Sequence, residues 1–461
     1  MNLGRIRWLL AGTQFLLLVD TSIINVVVPS VAQELGFDST GQSWIANAYL
    51  IAFGGVLLLS GRVADILGRR RVFRLGLITL ALGSALAAVA AGPVSLVAGR
   101  ALQGVGAALA AAASFALVLT VFDGEARQRA LGLLAAMAGA GGAAGTVLGG
   151  LLTQSWGWRS TFWVSVIAAL VLLALAHRVL AGIPDRRVHS PIDLPGALLL
   201  MGGQVLLAFG LLSLSSTVKL ANLAALALAV GLLIAFAIWQ QRGPAPLIPP
   251  DVWRNAGLMK ANLLAGLGQI VLFPMFFIVN LYLQQVLGFG PFESGLALLP
   301  LCSVVIATAS QVPRLIAWLG LRCAMTSGFI IVGIGLGWLS ALGSQGSFIG
   351  DVLGPTLIVG VGLPIVSITT GILAGTHSVQ GREGLTSGLL NTAQQFGAVI
   401  GIAAFVGLAS YHSTSLSILD TDARTALTGG YSLALMVASI ISMLAAVVAI
   451  IRRWDGIPET A

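Results

Sequence analysis

Apolar runs of about 20 residues recur along the chain from Leu9 to the Arg452 and Arg453 pair, each long enough to cross roughly 30 Å of hydrocarbon. They read as fourteen spans at about 9–32, 43–61, 73–92, 94–120, 130–153, 160–181, 194–214, 219–240, 260–284, 294–313, 323–342, 349–374, 385–409 and 430–451. Only short polar links lie between them, which leaves no length for a soluble domain. Charged residues make up 9% of the chain and hydrophobic ones 57%, whereas a soluble domain carries about 25% charged residues. Gly354, Pro355 and Pro364 stand inside apolar runs, where neighbouring helices must re-satisfy the freed backbone groups. The expected class is an all-α polytopic membrane protein.

The net charge is +8, but the basic residues are scattered too regularly to form a nucleic-acid patch. Their placement is topological. With a cytoplasmic N-terminus, Arg5, Arg7, the Arg62 to Arg74 cluster, Arg127, Arg129, Arg178, Arg186, Arg187, Arg242, Arg254, Lys260, Arg314, Arg322, Arg382, Arg452 and Arg453 all lie inside. Arg159, Lys219 and Arg424 face outward, a bias of about twenty to three that places both termini in the cytoplasm. Trp8, Trp156, Trp158, Trp239, Trp253, Trp318 and Trp454 fall near span ends, as interfacial anchors do. Cys302 and Cys323 have no ligand or redox spacing and read as free thiols. The first span carries a central acid and reads as a retained signal anchor.

A repeat is visible across 252 residues: Arg62, Gly68, Arg70 and Gly76 in one link match Arg314, Gly320, Arg322 and Gly328 in a later one. Asp65 has no acidic counterpart, because Ala317 stands at its place. Two halves built alike are common among transporters. The expected organisation is an N-terminal six-helix bundle over 1–190, two inserted helices with a cytoplasmic link over 191–258, and a C-terminal six-helix bundle over 259–461.

Asp20 stands mid-span, where an acid costs a few kcal/mol unless it faces a partner or cavity, so it reads as functional before structural. Burial penalises the charged form of a carboxyl and a nearby cation favours it, so a site exposed in turn to water and to arginine takes up and releases a proton. Arg100, inside the fourth span, is long enough to reach Asp20; it is either a coupling partner or a charge that makes the acid tolerable. Gly141, Gly145 and Gly149 recur every four residues and line one helix face, allowing close backbone approach. Asp351, early in span twelve, is either a second proton or cation site or an outer-interface residue. Phe273, Met275, Phe276 and Phe277 read as lipid-facing packing before a soft substrate wall. His177, His189, His377 and His412 lie at span ends or in links and do not read as relays or ligands.

Several stretches together resemble the major facilitator superfamily, and within it the fourteen-span drug:proton antiporters. They are residues 18–29, with Asp20, Asn25 and Pro29; the link 61–71, with Gly61, Asp65, Gly68, Arg69 and Arg70; residues 100–106, with Arg100, Gln103, Gly104 and Gly106; and span five, with Gly132, Gly141, Gly145 and Gly149. Residues 282–288, 387–392 and 193–196 are also similar to this branch. Thr146 departs from it, standing where the family usually has proline.

The resemblance implies a major facilitator fold of two six-helix bundles plus an inserted pair, with a central cavity and alternating access. It implies proton coupling by Asp20 and Arg100, and a cytoplasmic latch built from Gly61, Asp65, Gly68, Arg69, Arg70 and Asp123. In that latch Asp65 caps the start of span thirteen near Gly384 and Thr386, and Arg69 pairs with Asp123 or Glu125; a carboxylate at a helix N-terminus gains only about 1 kcal/mol, weak enough to break each cycle. The antiporter motif, Gly132, Gly141, Gly145, Thr146 and Gly149, would lie between the halves, with Asn25, Gln103 and Asp351 lining the substrate cavity. The implied partners are a small molecule, protons and the lipid bilayer, with no cofactor, no metal and no nucleic acid, in a protein working as a monomer in a bacterial inner membrane. Two Lys among 24 basic residues, with abundant Ala and Gly, fit a GC-rich bacterial genome.

Transport of one endogenous metabolite, including proton-linked uptake, remains the alternative. No nucleotide is implied, since GxxxxGK[ST] is absent, and an intramembrane enzyme is disfavoured, since HExxH is absent and no His cluster or paired carboxylates lie within the spans. A sensor would need an output domain for which the chain has no length.

Overall fold

The computed structural model describes residues 3–38, 41–183, 193–213, 219–243, 246–378, 383–418 and 422–451. Arg186, Arg187, His189, Arg382, Arg452, Arg453, Trp454 and the expected boundary at 190/191 lie outside the described residues. Among the described residues, fourteen helices are long and apolar enough to cross a membrane. They are α1 (Leu3–Leu35), α2 (Gln42–Leu67), α3 (Arg69–Ala88), α4 (Pro93–Val121), α5 (Gly124–Trp156), α6 (Arg159–Val179), α7 (Leu194–Leu212) and α8 (Leu220–Arg242). After a short helix at Pro250–Trp253 come α9 (Ala256–Val286), α10 (Pro291–Ala309), α11 (Val312–Leu339), α12 (Phe348–Thr376), α13 (Gly384–Ile418) and α14 (Ala423–Ile450).

Local chemistry sets the ends. Pro93 occupies the first turn of α4, where its missing N–H costs nothing. Asn255 caps α9 by accepting from the Leu258 amide at 3.0 Å, and Asp422 caps α14 by accepting from the Thr425 amide at 3.1 Å. Gly68, at φ +97°, divides α2 from α3, a left-handed backbone that favours glycine. Its repeat partner Gly320, at φ +78°, breaks α11 internally in the same way. α5 runs without interruption through Thr146, whose hydroxyl donates to the Ala143 carbonyl at 2.8 Å. Leu82, Ile167, Leu223 and Leu444 are exposed on the outer helix faces, which the apolar bilayer tolerates.

The chain packs as two units, one of residues 1–202 with 289–296, the other of 203–288 with 297–461. In the first, α3 packs on α4, α1 on α5, α2 on α4, and α6 on α3 and α1. The second repeats this scheme with α11 on α12, α9 on α13, α10 on α12, and α14 on α11 and α9. The repeat read from two links is therefore a repeat of helix pairing. It also fixes the seams: a Cβ on Gly76 would sit 2.5 Å from the Ala110 backbone and one on Gly83 2.4 Å from the Gln103 amide, both on α4. Gly328 and Gly335, 252 residues later, press in the same way on Ile365 and Val359 of α12. Met275 and Phe277 of α9 are buried, not turned to lipid.

Candidate functional site

Asp20 of α1 and Arg100 of α4 are each 1% exposed and meet at 3.2 Å, inside the first unit. The local sequence of α4 explains how. Gly104 brings the α2 backbone close, since a Cβ there would lie 2.4 Å from the Tyr49 carbonyl, and Gly106 does the same for α3 at Leu80. Arg100 and Gln103, three residues apart, share the helix face that meets α1. The guanidinium has four partners. Its Nη1 donates to Asp20 Oδ2 and, at 2.8 Å, to Gln103 Oε1; its Nε donates to the Ile45 carbonyl at 3.0 Å; and its Cζ lies 4.6 Å from the Tyr49 ring centroid.

The other carboxylate oxygen, Oδ1, accepts from Gln103 Nε2 at 3.1 Å and from the Ser165 hydroxyl of α6 at 2.9 Å. Gln103 Nε2 also donates to Ser84 Oγ of α3 at 2.7 Å. Helices α4 and α6 thus bond the buried carboxylate of α1 directly, while α2 and α3 hold its partners Arg100 and Gln103. Cutting one partner of such a pair leaves an uncompensated buried charge, at about 3–5 kcal/mol. Repetition does not extend here: Leu272, Leu336, Val352 and Pro355 stand 252 residues after Asp20, Ser84, Arg100 and Gln103.

The other expected residues are placed differently. Gln103 belongs to the Asp20 cluster, not to a cavity wall, because at 0% exposure both ends of its amide are engaged. Asn25 is buried in the packing surface of α1. Asp351 is a capping residue: its Oδ2 accepts from the Ser347 amide at 2.6 Å while Ser347 Oγ accepts from the Gly350 amide at 3.1 Å, a reciprocal cap that accounts for an acid at this helix start.

At the other end of the unit, Arg69 does not pair with Asp123 or Glu125. It pairs with Asp65 at 3.1 Å and donates to the Ala116 carbonyl at 3.0 Å. Asp123 and Glu125 are taken by Arg127 and Arg129, four residues on, where one helical turn brings each pair together. Arg70 turns away from the latch, donating to the Leu180 and Ala181 carbonyls at 3.2 and 2.6 Å, the end of α6 where a cation meets the helix dipole. Gly61 and Gly132 have nothing within 4 Å of an added Cβ, so no close approach requires glycine at either.

The glycine face of α5 lies on α1. Added Cβ atoms would fall 2.5 Å from the Phe15 carbonyl at Gly141, 2.7 Å from the Val19 carbonyl at Gly145 and 2.7 Å from Ile23 Cγ1 at Gly149. The second unit has the same seam, where Gly397 and Gly401 of α13 meet the Gly266 and Ile270 carbonyls of α9 at 2.2 Å each. Sequence reasoning missed Gly150, on another face of α5, whose Cβ would meet the Pro291 carbonyl at 2.5 Å within the first unit. It also missed Tyr49, Ser84 and Ser165; a hydroxyl within an apolar run usually bonds its own helix, so nothing in their spacing marks them.

Residues 10–402 match the family described as Major Facilitator Superfamily. The cephamycin export protein CmcT of Amycolatopsis lactamdurans is 37% identical over 404 residues, covering 85% of this chain and 82% of that protein. The puromycin resistance protein pur8 of Streptomyces alboniger is 33% identical over 479 residues, covering 98% and 93%. Among solved structures, an auto-inhibited POT family peptide transporter superposes with a TM-score of 0.72 at 16% identity, covering 99% of this chain and 98% of that one.

Proposed function

The chain belongs to the Major Facilitator Superfamily, and from that premise we propose that it exports a small antibiotic-like molecule across a bacterial inner membrane in exchange for protons, by alternating access. The observation that carries the coupling is the Asp20 and Arg100 pair, two opposite charges sealed at 1% exposure in the interior of a membrane-spanning bundle. A fixed charge there is costly, and such residues mark ion and proton pathways. Protonation of Asp20 cancels its attraction for Arg100 and frees the guanidinium for another partner. Release of the proton restores the pair. The relatives, one named for cephamycin export and one for puromycin resistance, support export of an antibiotic-like molecule.

Asp65 and Arg69 form the proposed cytoplasmic latch. The ion pair is half-exposed, where such a pair is worth about 1 kcal/mol or less and so breaks readily within a cycle. The basic excess on one set of links supports cytoplasmic termini.

The test is efflux of a panel of antibiotics and cationic dyes from proteoliposomes with an imposed proton gradient, with wild type and Asp20→Asn side by side. We expect gradient-dependent efflux of at least one compound, abolished by a protonophore and by Asp20→Asn. Gradient-driven efflux that persists at wild-type rate in Asp20→Asn would overturn the mechanism, and transport indifferent to the gradient would overturn the coupling.

A further inference from the structure

Three donors converge on the Asp20 carboxylate: Arg100 on Oδ2, and Gln103 and Ser165 on Oδ1. In each bond Asp20 is the acceptor, the arrangement an ionised acid takes. A protonated Asp20 must instead donate from one oxygen, and then one of the three has to accept. Arg100 has no acceptor atom. Gln103 points its amide nitrogen at Asp20, and its one acceptor, Oε1, is held by the guanidinium at 2.8 Å; turning the amide over would aim N–H at N–H. Only Ser165 carries a group that both donates and accepts at one atom. Its hydroxyl also has a second acceptor in place, the Thr161 carbonyl of its own helix at 3.3 Å.

We propose that Ser165 is a proton-state adaptor for Asp20, a hydroxyl rotor that donates to Oδ1 when the acid is ionised and, after turning to the Thr161 carbonyl, accepts from a proton carried on Oδ1. No heavy atom moves in the switch. The proton enters on the oxygen that Arg100 does not hold, so the acid is neutralised before the guanidinium is displaced, and the order of events in a cycle follows from geometry. Ser165 is a positioning residue: it holds a proton's place without carrying the charge. It can do so because α6 is pinned at its outer end, where the Trp158 indole donates to Glu34 at 2.7 Å and Arg159 pairs with the same carboxylate and donates to the Ala90 carbonyl at 3.0 Å.

The charged and titratable groups facing Asp20 are Arg100 from α4 and the Tyr49 phenol from α2, which accepts from Thr21 at 3.3 Å. The contact from α6 is Ser165, and Ser84 of α3 reaches Asp20 only through Gln103; neither serine titrates. A change at Ser165 therefore acts on one acid in a fixed charge surrounding. Loss of its hydroxyl removes a charge-assisted bond from the ionised form and a weaker neutral bond from the protonated form, so protonation should become easier by about one pH unit.

The inference rests on the reading of Asp20 as the coupling acid, and the experiment separates the two. Acid-minus-alkaline infrared difference spectra of the full protein in lipid, with the Asp20→Asn spectrum subtracted, isolate the C=O stretch of protonated Asp20. In Ser165→Ala the midpoint of that band should move about one pH unit upward and the band itself to higher frequency, with the pH profile of efflux moving alongside. Ser165→Thr, which keeps the rotor, should restore both. A Ser165→Ala band and profile that coincide with wild type would overturn the adaptor role, even if Asp20→Asn has abolished coupling. No Asp20 band at any pH at which the wild type transports would overturn the reading of Asp20 itself. Efflux that falls in Ser165→Ala with an unmoved midpoint would make Ser165 a packing residue and also overturn the proposal.

Discussion

Removing the Arg100 guanidinium leaves Asp20 charged, sealed and without its cation, whereas removing both charges leaves only polar packing. Arg100→Met should therefore lower the stability of the purified protein by about 3 kcal/mol or more, and Asp20→Asn combined with Arg100→Met should recover most of that loss. Neither variant should show gradient-driven efflux. Thermal unfolding beside the efflux assay checks this: a double variant no more stable than Arg100→Met would mean that the pair is not the source of the cost. Arg100→Lys makes a finer distinction. A lysine keeps the charge but cannot at once reach Asp20, Gln103 and the Ile45 carbonyl while lying over Tyr49. We expect coupled efflux to fall at least about tenfold with little loss of protein, since one charge-assisted bond is worth about 1.5–3 kcal/mol; wild-type efflux in Arg100→Lys would show that charge alone suffices. At this scale the sequence was informative where residue types are scarce. An acid and an arginine inside apolar runs announce themselves, and the structure brings them together. Ser84, Ser165 and Tyr49 did not, because hydroxyl residues are at home in membrane helices and only the approach of a second helix gives them a task.

Helix seams depend on absent side chains. A Cβ on Gly145 would lie 2.0 Å from Ser22 Oγ and 2.7 Å from the Val19 carbonyl, and one on Gly401 2.2 Å from the Ile270 carbonyl. Either helix pair must move apart to accept alanine, at a cost of about 1–3 kcal/mol as for other overpacked sites. Gly145→Ala and Gly401→Ala should thus lower the unfolding midpoint to a similar degree, while Gly132→Ala, with nothing within 4 Å, should leave it unchanged or raise it. If Gly145→Ala abolished transport at unchanged stability, the α5 glycines would have a role beyond the packing that α13 shares. The periodicity of glycine was legible in the sequence, but its partner was not: spacing defines a face and says nothing of the helix it meets. The repeat offset of 252 pairs Gly76 with Gly328 in the links and, within the spans, Gly83 with Gly335. It fails for the α5 seam, where Gly397 follows Gly141 by 256 residues, because extra residues ahead of α13 shift the register. Similarly, the arginines of the link 61–71 were legible as a cytoplasmic cluster, but the division of labour between Arg69 and Arg70 was not, since carbonyl acceptors at helix ends carry no sequence signal.

Across the whole molecule the backbone is repeated and the chemistry is not. Helix pairing and seam glycines recur in the second unit, yet the positions matching Asp20, Ser84, Arg100 and Gln103 are Leu272, Leu336, Val352 and Pro355. Among the described residues Asp20 is the one buried acid within the interior of a span, Asp193 lying at the start of α7 with its Oδ1 capping the Gly196 amide and Asp351 being spent as a cap on α12. On the proposed reading the first unit holds the proton site, and among the described residues the second has none of that design, which predicts one proton exchanged per molecule exported. For a neutral cargo one charge then crosses per cycle, worth about 2.3 kcal/mol at 100 mV and enough for a gradient of about fiftyfold without any pH difference. The measurement is a reversal potential in proteoliposomes: substrate and proton gradients are opposed, and the membrane potential at which net flux vanishes gives the stoichiometry. A value of one should hold in wild type and in Asp351→Asn, provided the latter folds despite its weakened cap. A value of two in wild type falling to one in Asp351→Asn would mean that the capping acid also titrates, and that the second unit contributes to coupling after all.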